Sequence, residues 1–340
     1  MSAEPQKFYK DGFMDLSKYR LERAELGPEW DALVSRSAQG TVFLSSEVLG
    51  ALEGVRLGLW FIFKDRQPMG GLAVAESADG TRAIDNDFII YAGPLFEPPP
   101  REQSQAQTIA EQFRVASFVT DRLAALYPRE CFVSLPPALV DIRPFLWHNY
   151  GEEGPKFVPD VRFTSTIALP PNPGGKLDSD PLYLAASKSR RQQIRYGINK
   201  GVVTEASPDV SVFIDLYAQT FARQGKEIDQ TYLRQLKTIS ERLIAAGKGR
   251  LYLSRTADGM VGSAALFGWD DKRAYYIYGA NAPDLRDDHT GTMVLWEAFM
   301  DLRREGIAEI DMEGINSPLR GHFKLSFGGE VTPYYHLALR

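Results

Sequence analysis

Apolar and polar positions follow the same order twice along the chain. In the first half, "YRLERAEL" reads as a strand, and Pro28 opens a helix over "EWDALVSRS" because its fixed φ suits a first helical turn. "SSEVLGALE" reads as a second helix with Ser45 or Ser46 at its cap. Three strands follow, "VRLGLWFIF", "PMGGLAVAES" and "AIDNDFIIYAG", separated by the polar turns "KDRQ" and "ADGT", which predicts an antiparallel meander. Between Arg101 and about Leu126, Ile109, Phe113, Ala116, Val119, Leu123 and Leu126 recur at steps of three or four, the spacing of an amphipathic helix. "ECFVSLP" is a further strand, and a short helix runs from Asp141 to Trp147 before the chain turns at Tyr150 and Gly151.

The second half repeats the succession. The strand "VRFTSTIAL" leads through "PPNPGGKLDSDP" to a basic helix from Leu182 to Asn199 and a short strand, "GVVTEA". Helices are expected from Pro208 to about Arg223 and from about Gln230 to Ala246, then the strands "RLYLSRT", "MVGSAALFGW" and "RAYYIYGAN". A helix from about Gly291 to Arg304 precedes the strand "AEIDM". Pro318 opens a short helix, and Gly328 and Gly329 stop it before a last strand, Val331 to Leu339. The pairing argues for two α+β domains of one layout, 1–155 and 156–340, with the boundary zone in the proline- and glycine-rich stretch from Gly151 to Gly175.

A chain of 340 residues exceeds what one core usually serves. Hydrophobic residues at 44% and charged residues at 24% describe a globular protein rather than a disordered one, and the net charge of -5 argues against a wholly basic nucleic-acid binder, DNA included. A basic groove for RNA can only be local. The single cysteine, Cys131, excludes an intramolecular disulfide and reads as a buried strand residue. His148, His289, His322 and His336 lack metal-ligand spacing, so no metal site is expected. No Walker, dinucleotide or nucleophile-elbow pattern occurs, and no apolar run approaches the ~20 residues that span a bilayer. The first residues lack a signal peptide's apolar stretch, so a cytoplasmic location is expected.

Three stretches carry candidate chemistry. The end of the chain has Asp311-x-Glu313-Gly314, then Phe323-Lys324-x-x-Phe327-Gly328-Gly329, then the pair Tyr334 and Tyr335; "SKSRRQQIRYGINKG" runs from Ser187 to Gly201, and "DIRPFLWHNYG" from Asp141 to Gly151. Together, in this order, they resemble the Fem family of aminoacyl and peptidyl transferases and its FemAB-like relatives among GNAT acetyltransferases. The resemblance implies tandem GNAT-like domains, each a mixed, mostly antiparallel sheet flanked by helices, the first on the acceptor side and the second carrying the basic helix and the Phe-Lys motif. It implies an acyltransferase that forms an amide on an amine acceptor, either a small molecule or a cell-wall-type precursor. Aminoacyl-tRNA is the favoured donor and acyl-CoA the alternative, each as co-substrate with no tightly bound cofactor. A binding protein that kept the fold and lost the chemistry is the third reading.

On the basic helix, Lys188, Arg191, Gln192, Arg195 and Asn199 fall on one face, where they can hold donor phosphates, including those of a tRNA acceptor stem, or simply face water. Arg190 points near the apolar side, and its role is open. The segment before the helix at Gly291 lies where a GNAT protein places its pyrophosphate loop. It keeps only Gly291, beside Thr290 and Thr292, and Asp287 and Asp288 oppose an anion, which is why aminoacyl-tRNA is favoured. Lys324 is the candidate for stabilising the oxyanion, Phe323 for stacking at the reactive end of the donor, and Asp311 or Glu313 for accepting the ammonium proton, unless they cap the following loop. Tyr278 is a donor-binding candidate. Tyr91 and Trp147 are candidates for the wall of the acceptor cleft that such relatives have between their domains, and core packing explains both equally well.

Overall fold

Backbone pairing in the first half centres on β3 (Gln67–Glu76). It pairs antiparallel with β2 (Arg56–Lys64), which pairs in turn with β1 (Tyr19–Arg23), and both β4 (Ala83–Ile84) and β5 (Gly93–Phe96) pair with β3 on its other side. The computed structural model describes residues 15–171, 174–222 and 228–340. The first 14 positions, positions 172–173 of the proline-rich linker and the expected helix end at Arg223 lie outside the described residues.

The chain divides into two compact units, Met1–Val161 with Tyr334–Arg340, and Arg162–Pro333. The expected division at 155 and 156 therefore shifts: β7 (Phe157–Ala168) runs as one strand through the stretch expected to be a linker, and the end of the chain returns to the first unit. Strand propensity in "VRFTSTIAL" outweighs the neighbouring glycines and prolines.

In the first unit, α1 (Pro28–Arg36), α2 (Ser46–Leu49) and α3 (Gln105–Leu126) accompany the sheet, and α4 (Arg143–Leu146) follows β6 (Phe132–Ser134). β6 pairs antiparallel with the end of β13 (Glu330–Leu339), Val133 facing Leu337. Trp30, Leu33, Ile62, Leu72, Val119, Leu123 and Phe145 form the buried centre, with Leu337 among them. The second helix is shorter than its apolar spacing predicts, a single turn preceded by a 3-10 turn at Val42–Leu44. The strand expected over "AIDNDFIIYAG" breaks after Ile84. Asn86 Oδ1 accepts from Phe88 N at 3.0 Å, a side-chain turn that competes with the ladder.

In the second unit the strand order is β7-β12-β11-β10-β9-β8, with β8 Val203–Ser207, β9 Gly249–Arg255, β10 Val261–Trp269, β11 Ala274–Asn281 and β12 Glu309–Asp311. The β11–β12 pair is parallel and its neighbours are antiparallel. The basic helix is two helices: α5 (Pro181–Ala185) ends at Ala186, and α6 (Lys188–Asn199) restarts with Ser187 Oγ accepting from Arg190 N at 3.2 Å. A serine that caps a new helix cannot continue the old one. Beyond them come α7 (Val210–Ala222), α8 (Gln230–Ala245), α9 (Thr290–Arg304) and α10 (Pro318–Leu325). Phe267, Phe299, Leu295, Ile310 and Phe327 lie fully buried between sheet and helices.

One buried ion pair fixes α5 to α9. Asp180 accepts from Arg303 Nη1 at 3.0 Å and Nη2 at 2.7 Å, and it also caps α5 through Leu182 N at 2.9 Å; both side chains are 5% exposed. Burial alone pushes the Asp180 carboxyl up, yet the bonds from Arg303 and Leu182 hold it below its ordinary range. Its contribution is therefore present above that range and fades as pH falls through the lowered value. Arg303→Met strands the carboxylate and is expected to cost about 3–5 kcal/mol, read as a melting-temperature loss of roughly 6 °C or more by calorimetry at pH 7.

Candidate active site

β11 and β12 are paired over two positions, Ala274 with Ile310 and Tyr275 with Asp311. Past them β11 continues to Asn281, while β12 ends and its chain turns at Glu313, whose φ of 51° lies in the left-handed region. The two parallel strands therefore part, and beyond the parting Tyr276 of β11, Glu313 of the turn after β12 and Lys324 of α10 come together.

Asp311 sets up that turn. It is buried, accepts from Thr164 Oγ1, and accepts from Glu313 N at 2.7 Å. Its lone pairs are thus engaged in holding the backbone of Glu313, so of the two carboxylates expected at this strand end, Asp311 supports and Glu313 is presented. Glu313 is 6% exposed, and its Oε1 is buried without a hydrogen-bond partner among the described residues. Burial pushes its carboxyl well above the ordinary range; Lys324 opposes that shift and Asp311 adds to it. Lys324 Nζ donates to the carbonyl oxygens of Gly314 at 3.3 Å and Glu313 at 3.5 Å and lies 5.3 Å from the centre of the Tyr276 ring. Burial lowers its ammonium pKa, against the raising influence of Glu313 and Asp311. Both groups are thus pushed away from their charged forms and influence each other, an arrangement suited to proton transfer.

α10 is placed by the two glycines that follow it. Gly328 has φ 93°, and a Cβ there would meet the carbonyl oxygen of Ala185 at 2.4 Å, so only glycine lets the chain pass this close. Phe327 is then buried against Phe299, with centroids 5.3 Å apart, and Phe323 meets Phe327 at 5.6 Å.

Between these rings sits Arg190, for which the sequence suggested no definite role. Its guanidinium lies 4.3 Å from the Phe323 ring and 4.6 Å from Phe327. Nε donates to Ser326 Oγ at 2.8 Å, and Nη1 donates to Gln193 Oε1 at 2.5 Å and to Thr292 Oγ1. It is 6% exposed and, among the described residues, has no carboxylate partner; burial brings its pKa down to about 10. A buried charge without a counterion is costly, so this arginine marks a place where negative charge is welcome. The only sequence signal was its position three residues after the capping Ser187.

Arg190 reaches the first turn of α9 through Thr292. His289 precedes that helix with φ 61° and provides no side-chain cap. The aspartates expected to repel an anion here are partly answered: Lys200 Nζ donates to Asp287 O at 2.7 Å and pairs with Asp288 at 3.3 Å.

The basic stripe lies elsewhere on α6. Gln193 meets Thr292, and Gly197 is packed close to Met293, so the Arg190, Gln193 and Gly197 face of α6 turns to α9. Arg191 and Arg195 lie about 100° or more around the helix, 6.0 and 5.6 Å from the Tyr183 ring, and Arg195 is ion-paired with Asp178. Lys188 is exposed at the start of α6. Tyr278 packs edge-on against Tyr217 at 5.6 Å, and its hydroxyl accepts from Tyr232 at 3.2 Å.

In the first unit, Tyr91 is 1% exposed and packed between Phe43 and Tyr334, at 5.8 and 5.4 Å. Of the two readings open for it in the sequence, cleft wall and core packing, these contacts are of the second kind. Trp147 is half-buried, edge-on to Phe113 at 5.2 Å with Arg143 over its ring at 5.5 Å. Cys131 is buried, as a strand residue would be, and burial pushes its thiol up to about 12, out of the nucleophile range. Among the described residues no cluster of potential metal ligands occurs, and no helix is long and apolar enough to cross a membrane.

A family profile described as "Acetyltransferase (GNAT) domain" matches residues 188–324, from the start of α6 to Lys324. A comparison with curated proteins gave no match. Among solved structures, FemX superposes with a TM-score of 0.60 at 12% identity, covering 92% of this chain and 96% of its own. A tandem GNAT protein from the clavulanic acid biosynthesis pathway gives 0.52 at 13% identity, covering 94% and 98%. A GNAT-family acetyltransferase from Colwellia psychrerythraea gives 0.51 at 11%, covering 94% and 99%. These likenesses are of fold: an α+β chain with a mixed, mostly antiparallel sheet flanked by helices, of GNAT type.

Proposed function

We propose that the chain is an N-acyltransferase that moves an acyl group from an acyl-CoA thioester to an amine, with the opening between β11 and β12 as its reaction site. The observation that carries this reading is the buried carboxyl of Glu313, whose Oε1 has no hydrogen-bond partner among the described residues, near the desolvated amine of Lys324. The acceptor ammonium loses its proton to the Glu313 carboxylate, and the free amine attacks the thioester carbonyl. The C–N bond forms while the carbonyl oxygen takes negative charge, which the Lys324 ammonium stabilises; the C–S bond then breaks, the thiolate leaves with the proton held by Glu313, and the amide nitrogen gives its remaining extra proton to the freed Glu313 carboxylate, which passes it to water.

Acyl-CoA is placed ahead of aminoacyl-tRNA for two reasons. The matching profile is that of acetyltransferases. Lys200 offsets the acidic residues before α9, and Arg190 supplies buried positive charge at that helix's first turn. Arg191 and Arg195, of the stripe that could hold the phosphates of either donor, lie against Tyr183 rather than α9.

Calorimetric titration with acetyl-CoA is expected to give micromolar binding, and Arg190→Met to weaken it about tenfold, a loss of about 1.4 kcal/mol, with the melting temperature kept within a few degrees. Release of free CoA over an amine panel reads the transfer itself. Binding of a charged minihelix RNA with no response to acetyl-CoA would move the donor to aminoacyl-tRNA, and no turnover with either donor would leave a binding protein.

A further inference from the structure

The first unit contains a cleft of about 400 Å³ between the β2–β3 hairpin, the end of β5 and the first turns of α3. We propose that it binds a neutral, hydroxyl-rich ligand of saccharide type, independently of acyl transfer in the second unit. The volume lies within the range of small-molecule sites and fits a mono- or disaccharide.

Charge chemistry excludes the obvious alternatives. The junction from β5 to α3 passes through Pro98, Pro99 and Pro100, which have no N–H to offer an anion. The start of α3 is closed by its own side chains: Ser104 Oγ accepts from Gln107 N at 3.3 Å, and Gln107 Oε1 accepts from Ser104 N at 2.9 Å. A phosphate would therefore depend on the neutral side-chain donors of the lining, which carry no charge to balance its own. A cation finds no free carboxylate either. Glu97 is held by Arg36 Nε and Nη2 at 2.6 and 2.5 Å. Glu111 accepts from Tyr19 Oη at 2.6 Å, Arg114 Nη1 at 2.8 Å and Lys64 Nζ at 2.9 Å. Both acidic residues in the lining are ion-paired within the unit, and the Lys64 ammonium is paired with Glu111.

What remains for a ligand is neutral and polar. The carboxamides of Gln67, Gln103 and Gln112 and the hydroxyl of Thr108 line the cleft, and none makes a side-chain hydrogen bond to another described residue. Each carboxamide presents a donor and an acceptor side by side, which vicinal hydroxyls of a sugar ring match. Met69, Phe96 and Val115 supply an apolar floor for the ring's C–H face. Three carboxamides around an apolar floor specify hydroxyls on one side of a ligand and carbon on the other.

The test is saturation-transfer NMR and calorimetry on the full chain with glucose, N-acetylglucosamine and maltose, against inorganic phosphate, ethanolamine and glycylglycine amide. At least one sugar is expected to saturate with a Kd of roughly 1 mM, weakened about tenfold in Gln112→Leu with Thr108→Val and separately in Gln103→Leu, all with wild-type melting temperatures. No saturable sugar binding up to about 50 mM overturns the proposal. So does equal or tighter binding of phosphate, ethanolamine or the dipeptide amide, or sugar binding that both sets of variants leave unchanged. Because the readout is binding to the first unit, it stands or falls apart from any turnover in the second.

Discussion

Glu313→Gln is expected to abolish transfer while making the protein more stable above pH 7. The carboxyl is buried with Oε1 unpartnered among the described residues, and its pKa is raised well above the ordinary value, chiefly by desolvation. In the unfolded chain it ionises near its ordinary pKa, so between that value and the raised one the folded state holds a proton that the unfolded state has lost. Stability then falls as pH rises, by about 1.4 kcal/mol per pH unit, until the raised pKa is passed. Glutamine keeps the shape and removes the titration. Its melting temperature is expected to exceed wild type by roughly 4 °C or more at pH 8 and to match it near pH 4.5. Turnover is expected to drop about 10²- to 10⁴-fold. The wild-type rate falls on the acid side at a pH well above the usual carboxylate range, and a limb at the ordinary carboxylate pKa would show that another group takes the proton.

Lys324→Met has the second largest expected effect: a kcat loss of about 10²-fold with the donor KM changed less than about threefold. Among the described residues the amine bonds two carbonyl oxygens and lies over one ring, so methionine of similar length retains the packing. The melting temperature is expected to hold or rise, because a desolvated ammonium is removed. Rapid-quench measurement of product at saturating donor separates the two constants. Turnover within twofold of wild type would remove Lys324 from oxyanion stabilisation.

The elements that periodicity fixes were legible in the sequence. The amphipathic helix ending at Leu126, the second meander and the Phe-Lys helix carry spacings that tertiary packing does not overrule. Side-chain turns were less legible. Asn86 ends a strand that its apolar residues would continue, and Ser187 divides a helix that its charges would run together. Of the candidate site, the proximity of Glu313 and Lys324 rests on an Asp311 bond and a left-handed residue, which sequence spacing hints at without fixing. The role of Arg190 stayed open in the sequence because its partners, Thr292 and Ser326, lie more than a hundred positions away along the chain. Tyr91 stayed open as well, because an aromatic near a strand end reads alike whether it meets solvent or core.

The return of Tyr334–Arg340 to the first unit bears on how the molecule is made. Leu337 faces Val133, Leu339 N donates to Cys131 O at 2.9 Å, and both leucines complete a core whose other members were translated far earlier. A ribosome working from the amino terminus releases every residue of the second unit before it delivers the strand that closes the first. The later-encoded unit can therefore finish folding while the earlier one still waits with an open sheet edge, an inversion of the usual order of birth.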